Sequence, residues 1–213
     1  MFSSYDILSK VMMIPAILIA FTVHEYAHAF VADRLGDKSQ RFQGRLTLNP
    51  FVHVDPVGFL MLLLFRFGWA KPVQVNTRAF KNYRRDDLLV SIAGCAANIL
   101  TAFIFAIILG LFFRFAPMNG SLYLILKDII LSTIVINLNI ALFNLLPLPG
   151  LDGFRVFTSL FPKVFYKIGD QLYRYSSLIF IVVIVTDIVG FILNPPFNFL
   201  MTIAYFITSL VAG

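Results

Sequence analysis

His24, Glu25 and His28 carry the clearest chemistry in the chain, inside Phe21-Thr22-Val23-His24-Glu25-Tyr26-Ala27-His28. On a helix, two histidines four apart project from one face, about 6 Å apart along the axis, so two imidazoles can hold one metal ion. That is a zinc-ligand spacing, and the glutamate between them is placed to deprotonate a water on the metal. The same five-residue pattern also occurs on solvated helix faces, where it does nothing. Here no such face exists, because Val11 to Phe21 is an apolar run and Glu25 is the only glutamate in the chain. Ionisable groups inside a membrane span are costly, and they are usually there for function.

The elements that must position these residues follow from composition. Hydrophobic residues make up 59% of the chain and charged residues 13%, a balance that excludes an ordinary soluble domain and fits a multi-span membrane protein. The single cysteine, Cys95, excludes an intrachain disulfide and a cysteine-rich metal site. The first apolar run lacks a basic leader and a small-residue cleavage site, so it reads as retained rather than cleaved. Apart from Lys10, Arg114 and Lys127, the basic residues fall in two regions, 34–85 and 155–174. That asymmetry is a topology signal that places both regions in the cytosol; it argues against nucleic-acid binding.

A first helix over about 5–35 then runs out to in, with Pro15 as a possible kink. The stretches Arg41 to Leu48 and Lys71 to Thr77 alternate apolar and polar residues as half-buried strands do. Between them, the apolar run 57–67 is too short to span. The combination predicts a re-entrant segment with a small membrane-embedded β-sheet, whose Pro72 marks an edge able to pair with an extended peptide; an amphipathic surface hairpin is the alternative. A second helix, about 86–115, runs in to out from Asp86-Asp87. It carries a run of small residues, 93–97, suited to close helix packing, followed by Asn98, which is either interhelical glue or part of the site.

A third helix, about 122–146, runs out to in and breaks into Pro147-Leu148-Pro149-Gly150-Leu151-Asp152-Gly153. Two parallel helices thus bring His28 and Asp152 to the same side, and two histidines with one carboxylate on one zinc leave a fourth position for water. After a cytosolic connection over 155–174, two further apolar segments, about 175–193 and 197–211, are separated by Asn194-Pro195-Pro196. Asp187 is an isolated carboxylate towards the outer end.

Together these residues resemble the site-2 protease family of intramembrane zinc metalloproteases. The likeness rests on His24-Glu25-Tyr26-Ala27-His28, on Gly44-Arg45-Leu46-Thr47-Leu48-Asn49-Pro50 leading into His53-Val54-Asp55-Pro56-Val57-Gly58, on Gly68-Trp69-Ala70-Lys71-Pro72-Val73, and on Asn144 through Asp152-Gly153. The resemblance implies one zinc per chain on His24, His28 and Asp152, Glu25 as general base, and Asn144 as an oxyanion or substrate-backbone donor. It also implies that the segment around Trp69, Lys71, Val73 and Val75 pairs with an unwound substrate helix. Where the family usually has a proline before the asparagine of the second helix, this chain has Cys95. His53 stays open between an alternative ligand, a partner that orients a catalytic group, and a structural role.

The expectation is therefore an all-α polytopic membrane protein of about five transmembrane helices plus the re-entrant segment and sheet. It forms a single domain over 1–213, with a catalytic core at about 5–157 and two accessory helices over 175–211. Its setting is the cell membrane, with the active site towards the cytosol and a transmembrane protein as substrate; the oligomeric state is open. A membrane zinc transporter and a catalytically silent helix-binding relative are the competing readings. Ligands gathered at one depth count against the first, and the presence of Glu25 counts against the second.

Overall fold

The computed structural model describes residues 4–65, 68–116, 120–186 and 188–213. Asp187 lies outside them. In chain order the described residues form α1 (Ser4–Arg34), α2 (Ser39–Phe42), α3 (Pro50–His53), α4 (Pro56–Phe65), α5 (Tyr83–Phe115), α6 (Ser121–Asn144), α7 (Asp152–Leu160), α8 (Pro162–Arg174), α9 (Ser176–Val185) and α10 (Ile188–Ala212). Among the described residues, four stretches are long and apolar enough to cross a membrane: Lys10–Arg34, Tyr83–Phe115, Ser121–Asn144 and Ile188–Ala212. The chain is a mostly helical membrane protein.

α5 and α6 form the centre, with α1 packed against both and α10 closing the other side. Between α5, α6 and α10 the core is built from Ala102, Ala106, Leu109, Ile134, Leu138, Met201 and Ala204. Alanines let the backbones approach closely, which is how helices associate when lipid is as apolar as the side chains. Thr208 uses that closeness, and its hydroxyl donates across the interface to the Ala106 carbonyl at 3.0 Å. At the N-terminus of α5 the Asn82 side chain caps the helix by accepting the Arg85 N–H.

Three expectations need correction. The described residues hold four spanning helices rather than about five. α9 has only ten residues, about 15 Å of helix against a hydrocarbon core of about 30 Å. The chain breaks after α9 instead of at Asn194-Pro195-Pro196, because Pro195 and Pro196 lie inside α10, and proline is tolerated in membrane-spanning helices. The connection expected over 155–174 is itself helical, forming most of α7 and all of α8.

The β-sheet is not found either. Among the described residues no strand forms, and one antiparallel bridge, Val54 to Ala70, is all the pairing present. Residues 71–76 are extended, but side chains take their backbone groups instead of a neighbouring strand. Arg45 donates to the Lys71 and Pro72 carbonyls, Gln40 donates to that of Gln74, and Asp37 accepts the Asn76 N–H. Alternating polarity predicts a half-buried extended chain equally well whether or not a second strand lies beside it.

Candidate metal centre

α1 carries His24, Glu25 and His28 as one buried set, 6%, 7% and 7% exposed. Asp152 opens α7, immediately after the proline–glycine break that ends α6. Gly153 makes the fold-back possible, since a Cβ there would collide with the Leu145 and Leu146 backbone. In consequence Asp152 Oδ2 sits 3.0 Å from His24 Nε2 and 3.0 Å from His28 Nε2, and the two imidazole nitrogens are 3.0 Å from each other.

The donor chemistry of this triangle tests whether a metal fits. His28 Nδ1 lies 2.7 Å from the Val90 carbonyl of α5, and a carbonyl can only accept, so Nδ1 carries the proton. A neutral His28 then turns a bare Nε2 lone pair towards the Asp152 carboxylate and His24. Three electron-rich atoms at hydrogen-bond distance repel one another unless a proton or cation stands among them. A triangle of 3.0 Å edges has a circumradius of about 1.7 Å, less than the zinc–ligand bond lengths of about 2.0–2.2 Å. His24, His28 and Asp152 would therefore hold one zinc ion between them, and the ion would supply Lewis-acid chemistry there. Among the described residues this is the group of histidine, cysteine and acidic side chains able to hold an ion.

α5 makes room for the site through Gly94. A Cβ at that position would fall 2.5 Å from His28 Nε2 and 2.7 Å from His24 Cε1. Cys95, the neighbouring residue, points its thiol at Asp152 Oδ2 from 4.0 Å, a long contact outside the ligand group. Asp87 of α5 takes an ion pair from Arg155, one turn along α7 from Asp152, and so ties the two helices together.

The other expected residues are placed as follows. Glu25 Oε2 accepts the Val73 N–H at 2.8 Å, which puts the extended segment directly against the glutamate. Val73 and Val75 are half-buried in that segment, and the Lys71 N–H donates to the His53 carbonyl at 2.8 Å. The partly exposed Trp69 covers Gly58, where a Cβ would meet its ring. His53 is fully buried, bonds through Nε2 to the Thr47 carbonyl at 2.8 Å, and is not part of the ligand group. Asn98 is buried one turn from Gly94 and donates to the Ala20 carbonyl at 3.4 Å, so it bridges α5 and α1. Asn144, at the end of α6, donates to the Ile140 carbonyl of its own helix at 2.9 Å.

Residues 12–127 and 119–186 match the family model described as Peptidase family M50. The chain belongs to peptidase family M50. It is 40% identical over 187 residues to the Bacillus subtilis (strain 168) protein named "Putative zinc metalloprotease YwhC", a match that covers 87% of this chain and 85% of that one. It is also 33% identical over 150 residues to "Putative zinc metalloprotease Rip2" of Mycobacterium tuberculosis. A Rip2 of Mycolicibacterium smegmatis is 31% identical over the same length. Each mycobacterial match covers 68% of this chain and 55% of the relative, so the chain spans about half their length. No solved structure matches the chain.

Sequence reasoning missed three parts of this M50 site. The small-residue run over 93–97 reads as a packing face, and its glycine is one; what it packs against is the pair of histidines. The Val90 carbonyl has no sequence signal, because any residue supplies one. Arg45 sits in a stretch that carries the family likeness and alternates like a strand, but its burial, 7% exposed, and its backbone partners are not readable there.

Proposed function

We propose that this M50 peptidase is an intramembrane zinc endopeptidase that hydrolyses a peptide bond within or beside a transmembrane segment of another membrane protein. The observation that carries the reading is the triangle of His24, His28 and Asp152 set among helices apolar enough to span a bilayer, with Glu25 beside it and an extended backbone against Glu25. Zinc, when bound by these three residues, supplies Lewis-acid activation of water and of the substrate carbonyl. Glu25 accepts the proton of the attacking water and delivers it to the leaving amine. Asn144 turns its amide from Ile140 towards the substrate carbonyl oxygen, where developing charge makes an N–H donor most valuable.

A peptide bond inside a helix has its N–H and C=O engaged, so the substrate must unwind locally before attack. The extended segment 70–76 offers the unwound chain a partner. The Val73 carbonyl, the Gln74 N–H and both backbone groups of Val75 have no partner among the described residues. Unpaired groups of this kind are what an added strand uses. Trp69 and Lys71 flank the entry to that segment. The basic residues gathered in 34–85 and 155–174 support an active site that faces the cytosol from the cell membrane. The whole chain acts as one unit, with α9 and α10 accessory to the core.

The test is cleavage of a panel of single-span membrane proteins in lipid bilayers, compared with soluble peptides carrying the same cleavage sequence. Cleavage of membrane segments in preference to the soluble peptides supports the reading. Equal or better cleavage of the soluble peptides, or zinc flux through sealed vesicles without cleavage, overturns it.

A further inference from the structure

Arg45 is a buried cation with no acidic partner among the described residues. Its guanidinium donates instead to three backbone carbonyls, those of Val52 at 2.8 Å, Lys71 at 3.2 Å and Pro72 at 3.4 Å. Burying a charge against dipoles alone is costly, and a planar fork of donors is what makes it workable. The arrangement also constrains the backbone. In a regular strand successive residues face opposite sides, yet here the carbonyls of two successive residues turn towards one guanidinium. Arg45 thereby holds the backbone at Lys71-Pro72 through both carbonyls, and the next backbone group, the Val73 N–H, meets Glu25 Oε2.

The rest of the segment is anchored in the same way. The Lys71 N–H donates to the His53 carbonyl, Gln40 Nε2 donates to the Gln74 carbonyl at 2.9 Å, and the Asn76 N–H donates to Asp37 at 2.8 Å. Gln40, His53 and Asp37 are all buried. Of these anchors Arg45 holds the residues immediately before Val73. It is the one placed to decide which residue of the segment stands opposite Glu25.

We propose that Arg45 is a positioning residue that sets the register of cleavage. By holding the Lys71 and Pro72 carbonyls, it fixes which backbone groups of 73–75 a substrate strand meets, and so which of its peptide bonds lies at the metal. The inference rests on the substrate pairing proposed above. Without the fork, the segment slides or rocks against Glu25, and a paired substrate presents neighbouring bonds in turn. Lysine keeps the charge but is a point donor, and it cannot reproduce the fork.

The experiment compares wild type, Arg45→Lys and Arg45→Gln in bilayers, each with its zinc content measured, and maps the products of one membrane-segment substrate by mass spectrometry. The expected result is a single cleaved bond in the wild type and two or more adjacent bonds in both variants, with one zinc per chain throughout. A single unchanged bond in zinc-loaded variants overturns the proposal, even if the rate falls. Hydrogen exchange at the Val73 amide in the zinc-loaded proteins is read alongside. About tenfold faster exchange in either variant is expected, and unchanged protection in both overturns the proposal whether or not a substrate is cut. A wild type that cleaves no membrane substrate counts against the proposed function instead, and the exchange measurement then decides the role of Arg45.

Discussion

Replacing Gly94 by alanine should cripple the metal site while leaving the helix that carries it more favourable. The added Cβ lies 2.5 Å from His28 Nε2, 2.7 Å from His24 Cε1 and 2.8 Å from His24 Nδ1. Ordinary contact begins near 3.4 Å, so the nearest ring atom must retreat by about 0.9 Å. His28 cannot simply swing aside, because its other nitrogen is held at 2.7 Å by Val90, four residues before Gly94 on the same helix. The methyl therefore either pushes α1 away from α5 or rotates both histidines off Asp152. Displacements of about 1 Å in a catalytic constellation cost on the order of 100-fold in rate, and loss of ligand orientation costs about 10–100-fold in metal affinity.

Helix propensity works the other way, since alanine is better than glycine in a helix interior by about 1 kcal/mol. A drop in zinc affinity cannot then be ascribed to a weaker α5. Zinc affinity by chelator competition and peptidase rate should be measured on Gly94→Ala and on Gly169→Ala. The second serves as control, because a Cβ at Gly169 of α8 meets nothing within 4 Å. If Gly94→Ala binds zinc as tightly as wild type and cleaves at the same rate, the close approach of α5 to the histidines is wrong.

His24→Ala, His28→Ala and Asp152→Asn should each lower bound zinc below one per chain by elemental analysis, while helical circular dichroism persists. Arg155→Ala removes the pair with buried Asp87 between α5 and α7; since Arg155 is itself one-third exposed, solvent screening limits the loss to about 1–2 kcal/mol, read as a fall in thermal midpoint. Burial works to raise the Asp37 carboxyl, but the Ser39 hydroxyl, the Asn76 N–H and the Gln40 amide outweigh it and hold the group below its ordinary value. A depressed carboxyl contributes stability that is present above its unfolded pKa and is lost as pH falls through the lower folded one. Stability should therefore decline on acidification below about pH 4, and Asp37→Asn should flatten that decline. An unchanged acid limb in the variant would contradict this role.

The grouping of the candidate ligands was legible because its evidence is local or topological. His24, Glu25 and His28 sit within two turns of one helix, where spacing alone fixes their common face. Asp152 is far away in sequence, but the parity of helix directions brings it to the same end of the bundle. What escaped prediction depends on contacts that no local pattern encodes. The alternation over 71–77 reads as a strand, yet whether it pairs is decided by Arg45, Gln40 and Asp37 occupying its backbone groups. Pro195-Pro196 looks like a terminator, but in α10 the helix continues around it. The basic residues of α8 mark a polar connection by composition, while its apolar positions 164, 165, 168 and 172 recur at helical spacing and show the helix directly. His53 looked chemical by type, and its complete burial on the Thr47 carbonyl makes it an anchor of the loop that carries the extended segment.

The central claim is that zinc on His24, His28 and Asp152 works with Glu25 as the base. Its most direct test is zinc content and substrate cleavage measured on the same bilayer samples of wild type and Glu25→Gln. The account predicts one zinc per chain in both proteins, with cleavage in the variant reduced by about 100-fold to 10,000-fold. A variant that keeps its zinc and cleaves at the wild-type rate would contradict it.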